Sequence, residues 1–139
     1  MALCLAIAVA AGTSVNTFID ETQWPIVVVQ WQGPMAQTDL RMFLTRMDTW
    51  LERGERFALL IDSRAAQGMS PEQRVQVLEH MKQRAPLTSR FLVQAIVLNS
   101  LLQRTLFYSI NLLFPNPFPS KVFGDPDAAR VWLEATLKA

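Results

Sequence analysis

The stretch from Arg56 to Arg74, RFALLIDSRAAQGMSPEQR, sets the terms for the rest of the chain. Phe57, Ala58, Leu59, Leu60 and Ile61 are continuously apolar. A strand covered on both faces reads this way, whereas a half-solvated one alternates. Asp62 and Ser63 end the run with side chains that bond nearby backbone and favour turns. Gly68 supplies a position that tolerates positive φ. Ser70-Pro71-Glu72-Gln73 then spells a helix start: Ser70 caps, Pro71 presets φ at the first helical position, and Gln73 reaches back to close a capping box. Val75, Leu78, Met81 and Ala85 give that helix one apolar face, and Pro86 stops it. A doubly covered strand feeding an amphipathic helix belongs in the middle of a sheet.

The segments on either side repeat the alternation. Val15 to Asp20 reads as an edge strand, Trp24-Pro25 as a turn, and Ile26 to Trp31 as a β-branched second strand. Gly33-Pro34 breaks it. A helix follows from Thr38 or Asp39 to about Arg53, with Leu40, Phe43, Leu44, Met47, Trp50 and Leu51 on one face and Gly54 at the left-handed cap. Phe91 to Leu98 is another buried strand, and Asn99 or Ser100 caps a helix over Leu101 to Phe114. That helix is apolar around most of its circumference, which predicts burial against more than one neighbour. Pro115 to Pro119 makes an extended connector and Lys121-Val122-Phe123 a brief last strand. Asp125-Pro126 opens a final helix that packs through Ala128, Ala129, Val131, Trp132, Leu133 and Leu137. The order β-β-α-β-α-β-α-β-α predicts one α/β domain: a mixed, mostly parallel five-stranded sheet with four helices and right-handed crossovers.

Ala2 to Ala11 stands apart as an unbroken apolar run. It is shorter than the roughly 20 residues a bilayer span needs, and no Lys or Arg precedes it as in a secretory signal. We expect residues 1–14 to be an apolar N-terminal tail outside the core or an over-extended start, with a signal or anchoring segment (Ala8-Val9-Ala10 could pass as a cleavage site) or an extra packed element as alternatives, and residues 15–139 to form the domain.

Composition narrows the chemistry. Half the residues are apolar and 18% charged, which excludes disorder. A net charge of +1 with scattered basic residues gives no electrostatic footprint for nucleic acid. One cysteine, Cys4, excludes an internal disulfide, and one histidine, His80, excludes the usual zinc ligand sets. The single thiol fits a cytoplasmic setting. No nucleophile elbow, phosphate-cradling loop or dinucleotide fingerprint occurs, and His80, beside Glu79, is expected at the surface. Asp62, Ser100 and Lys121 form a set like that of a response-regulator receiver. Trp31-Gln32-Gly33 lacks the carboxylates that such chemistry needs for Mg²⁺. The expectation is therefore no enzyme, no catalytic residue, no metal and no cofactor.

The strand order, the LLID end of the central strand and the polar loop into a Ser-capped helix resemble the STAS domains of bacterial anti-sigma factor antagonists and sulphate transporters. The stretch from Phe114 to Leu133, with its prolines, short strand and Asp-Pro-x-x-Ala-x-x-Trp-Leu-like ending, is similar to small STAS-like or Sec14-like bacterial proteins. The likeness spans Val15 to Leu137. It implies a non-catalytic regulatory domain that binds a protein partner through residues 63–70 and the start of the following helix, with Asp62, Ser63, Arg64, Met69 and Ser70 as contact candidates. In antagonists of the family, a serine at that helix start is phosphorylated within a pattern like Asp-Ser-Ser-Gly. Gly68-Met69-Ser70-Pro71 keeps the serine, Ser70, without the acid or the glycine. A phosphate there would gain from the helix's positive end, although capping alone explains the residue. The Sec14 likeness of LNSLLQRTLFYSINLLFPNPFPSKVF implies the alternative of a carrier for a lipid or another apolar ligand, through Leu106, Phe107, Ile110 and Phe114. The same residues would otherwise serve as core or as a homodimer contact.

Overall fold

The computed structural model describes residues 16–113 and 115–139, with the side chains of residues 110, 111 and 113 outside the description. The expected tail, residues 1–14, lies outside the described residues. Among them the chain runs β1 (Thr17–Asp20), β2 (Ile26–Gly33), α1 (Gln37–Glu52), β3 (Phe57–Ala66), α2 (Pro71–Gln83), α3 (Ala85–Phe91), β4 (Leu92–Val97), α4 (Leu101–Leu113), β5 (Ser120–Phe123) and α5 (Pro126–Lys138). One sheet holds the strands in the order β1-β2-β3-β4-β5. β1 lies antiparallel to β2 at one edge, and every other pair is parallel. β3 occupies the centre, as its apolar run requires.

Alternate residues of the strands feed two cores. On one face Val27, Val29, Phe57, Leu59 and Leu92 meet Met47, Trp50 and Leu51 of α1, and Phe118 joins them from the proline connector. Phe57 stacks on Trp24 at 5.4 Å between ring centroids and meets Trp50 edge-on at 6.2 Å. On the other face Ile26, Ala58, Leu60, Val93, Ala95 and Val97 receive Ala129 and Leu133 of α5, flanked by Trp132 and Leu137. Ala58, Ala95 and Ala129 are fully buried; their small side chains leave room for the helix to lie directly on the strands.

The local signals hold where they rest on caps. Ser70 and Gln73 form a reciprocal capping box: the Gln73 N–H donates to Ser70 Oγ at 3.1 Å and the Ser70 N–H to Gln73 Oε1 at 3.0 Å. Asp125 caps α5 through the Ala128 N–H, and Gly54 follows α1 with φ of 71°.

Four expectations are corrected. β3 does not end at Asp62-Ser63 but continues to Ala66, because Gln30 on one side and Val97 on the other give Asp62 ladder partners. The chain after α2 does not simply stop at Pro86. Pro86 lies in the first turn of α3, where its missing N–H is not needed, so the described residues hold five helices rather than four. Val75 is 51% exposed, and α2 buries only Gln73. Finally, α4 is not enclosed: Leu101, Leu102, Leu106, Tyr108 and Leu112 are exposed. The two faces of the sheet are already covered by α1 with Phe118 and by α5, and no described α4 side chain belongs to either core.

Candidate functional site

The carboxyl ends of β2, β3 and β4 carry the polar groups. Along β2 the face that carries Ile26 and Val28 over α5 continues as Gln30 and Gln32, and along β3 the face of Ala58 and Leu60 continues as Asp62. Opposite Gln30 stands Asp62, but opposite Gln32 stands Ala65, so Ser63 and Arg64 together face the single residue Trp31. This β-bulge shifts the phase of β3 by one residue, turning Ala65 to the same side as Asp62. A cleft of about 420 Å³ results, lined by Phe18, Gln30, Gln32, Asp62, Arg64 and Asn99 among others. It lies where ligands and partners of open parallel sheets are usually met, beyond the strand carboxyl ends.

Arg64 folds back on Asp62 as a fork: Nε donates to Oδ1 at 2.9 Å and Nη2 to Oδ2 at 2.7 Å, and the Arg64 backbone N–H also reaches Oδ1. The guanidinium hydrogen bonds hold the Asp62 carboxyl below the usual aspartate range, against burial that pushes it up. Asp62 is thus an ionised, satisfied acceptor whose charge orients Arg64. On the opposite face of the bulge, the Trp31 Nε1–H donates to Ser63 Oγ at 2.9 Å, and both residues are buried.

From Ala65 to Ser70 the chain forms an exposed shelf that is tied down at several points. The Gln67 N–H donates to Gly33 O at 2.8 Å, the Met35 N–H to Gly68 O at 3.2 Å, and Gln73 Nε2 to Met35 O at 2.9 Å. Gly68, at φ of 97°, takes the one bend on this path that an L side chain would strain. Gln103 of α4 donates to Ser63 O and Ala66 O from the other side.

The sequence candidates separate on this surface. Asp62 and Arg64 line the cleft together. Ser63 is buried behind the strand against Trp31, unlike the other contact candidates Arg64, Met69 and Ser70. Met69 is half-buried and Ser70 exposed, both on the shelf outside the cleft. Leu106 is exposed and Phe107 half-buried, and neither lines the cleft; the side chain of Ile110, and Phe114, lie outside the described residues. Ser100 caps α4 through the Gln103 N–H, and Lys121 lies over the Phe123 ring, so neither completes a phosphoacceptor set around Asp62. Among the described residues no helix is long and apolar enough to cross a membrane.

Two features escaped the sequence reading. Gln30, Gln32 and Asn99 line the cleft, and the switch from valine to glutamine at period two within IVVVQWQ was the available signal. His80 is not a free surface group: its Nε2 lies 2.8 Å from Asp48 Oδ1 on α1, and Arg84 Nη2 donates to Asp48 Oδ2 at 2.9 Å. Nothing in the sequence flags that cluster, because 32 positions separate Asp48 from His80.

A family model described as SpoIIAA-like matches residues 26–134. The chain belongs to the SpoIIAA-like family. No curated protein matches it. Among solved structures, an uncharacterized protein with a SpoIIAA-like fold from Shewanella loihica is 21% identical, with a TM-score of 0.65 over 88% of this chain and 99% of that one. The anti-sigma factor antagonist SpoIIAA in its unphosphorylated form is 12% identical, with a TM-score of 0.60 over 85% and 97% of the two chains. An anti-sigma factor antagonist from Mycobacterium paratuberculosis is likewise 12% identical, with a TM-score of 0.53 over 87% and 95%. At these identities the likeness establishes the fold. This SpoIIAA-like chain therefore has the STAS architecture that the resemblance implied, with one helix more than expected among the described residues.

Proposed function

We propose that this SpoIIAA-like chain is a non-catalytic regulatory domain that docks a protein partner on the shelf from Arg64 to Ser70 and the first turn of α2. The carrying observation is the shelf itself: exposed along most of its length, yet tied to Gly33 and Met35 through Gln67 and Gly68, to Gln73 through Ser70, and to Gln103 through Ala66. A surface ordered before binding loses little conformational entropy on association. Arg64 presents a guanidinium held by Asp62, and the half-buried Met69 adds an adaptable apolar side chain on the shelf. The two solved neighbours that are anti-sigma factor antagonists support a regulatory class for the fold. Asp62 contributes by orienting Arg64 rather than by touching the partner.

Ser70 is fully accounted for as a cap, so the reading rests on the shelf and not on phosphorylation. The carrier alternative has no observation in its favour, since the exposed Leu106 and the half-buried Phe107 wall no part of the cleft.

A photo-reactive amino acid placed at Met69 in the native host, with Val131 on the outer face of α5 as control, tests the proposal. The expected result is one defined heterologous adduct from position 69 and none from 131. Equal labelling from both positions, or adducts only with a second copy, would count against it.

A further inference from the structure

Strand register sets a grid of polar side chains on the floor of the cleft. Phe18 pairs with Gln30 across β1 and β2, and one step on, the Gln32 N–H donates to Asn16 O at 3.0 Å. On the other side of β2, Gln30 pairs with Asp62 and Gln32 with Ala65. Residues two apart on a strand share a face, so both cross-strand pairs look into the same space. Asn99 closes it from just beyond the end of β4.

We infer that this cleft is a binding site for a neutral sugar unit, with ring hydroxyls on the side-chain amides of Gln30, Gln32 and Asn99 and a C–H face of the ring on Phe18. Charge narrows the class first. Among the described residues the charged groups lining the cleft are Asp62 and Arg64, and they neutralise each other. Both Asp62 oxygens and two guanidinium nitrogens are committed to the fork, so neither a phosphate nor an ammonium group meets an unpaired counter-charge. Hydrogen bonding narrows it further. Gln30, Gln32 and Asn99 are exposed, and each amide offers two donors and an acceptor. An apolar occupant would leave those groups desolvated and unpaired. A hydroxyl both donates and accepts at one atom, so it matches an amide in either orientation. Arrangement decides the rest. The amides come from before β1, from β2 and from after β4, and therefore surround the space as hydroxyls surround a sugar ring. Phe18 is 37% exposed and supplies an aromatic face whose negative charge density attracts weakly positive C–H groups. The 420 Å³ of the cleft falls within the roughly 300–1,000 Å³ of small-molecule sites. The inference does not depend on the shelf or on its partner.

Titration of the isotope-labelled full chain tests it, with D-glucose, D-galactose, D-mannose, N-acetyl-D-glucosamine and myo-inositol as probes and with adenosine and inorganic phosphate as contrasts. Side-chain amide resonances of Gln30, Gln32 and Asn99 should shift saturably with at least one sugar. Gln32→Leu should weaken that binding about tenfold, as expected for losing hydrogen bonds at one amide. Phe18→Ala should weaken it by a similar factor. Backbone resonances of Phe57 to Ile61 should keep their positions in both variants, which shows that the sheet is intact. Absence of a saturable shift with any of the five probes overturns the inference. Equal affinity in the parent and in Gln32→Leu would put the sugar elsewhere and overturn it too. Saturation by adenosine or phosphate alone would assign the cleft to a base or an anion, and the sugar reading would fall.

Discussion

At the scale of single residues, the capping box and the Asp62–Arg64 fork carry the clearest predictions. Ser70→Ala removes an acceptor that the Gln73 N–H uses, and should cost about 1 kcal/mol in urea unfolding. The loss should be non-additive with Gln73→Ala, because each side chain serves the other's backbone. For Asp62 the direction with pH follows from its lowered value. The folded chain binds fewer protons than the unfolded one around the ordinary aspartate value of 3.8. The stabilisation is therefore complete above that value and disappears as pH falls through the folded-state one. Arg64→Gln should lower the urea midpoint at neutral pH, and parent and variant should converge in the most acidic buffers. A difference that grows on acidification would contradict the fork as drawn. Ser70 and its box were legible because capping is a three-residue matter. The fork was not, because it requires Asp62 and Arg64 to be in strand, and turn-forming side chains at that place argued for a loop.

At the scale of elements, packing is uneven. α5 alone covers one face, and Leu133 at its centre is fully buried. Leu133→Ala should cost about 2–5 kcal/mol, read by thermal or urea unfolding, since nothing adjacent can fill the void. Val131 on the same helix is 68% exposed, and Val131→Ala should stay within about 0.5 kcal/mol. Asp48 joins α1 to α2 through His80 and Arg84. Asp48→Ala should cost about 1–2 kcal/mol, because it strands two donors at once. A double-mutant cycle with His80→Ala separates their share. The helical faces were written in the sequence, but their occupancy was not. α2 and α4 both show apolar residues at helical spacing, but in α2 Val75 is exposed while Val77, Leu78 and Met81 are half-buried, and in α4 most described apolar positions are exposed.

At the scale of the whole molecule, β3 and β4 hold the ladder together with partners on both sides. Their amides should exchange only through global unfolding, whereas α2, which buries a single residue, should open earlier. Native-state exchange in mild denaturant checks this ranking.

The sequence by itself determined the order of elements, the central place of Phe57 to Ile61 and the caps at Ser70 and Asp125. Each of these depends on contacts within a few residues or on a periodicity that survives without neighbours. Only the tertiary structure decided that β3 runs on through Asp62, that a bulge opposite Trp31 opens the cleft, and that His80 reaches Asp48. It also decided that no described side chain of α4 joins either core. These outcomes depend on which surfaces were already covered when strands from distant parts of the chain came together, and covered area is a property of the assembled sheet rather than of any segment in it.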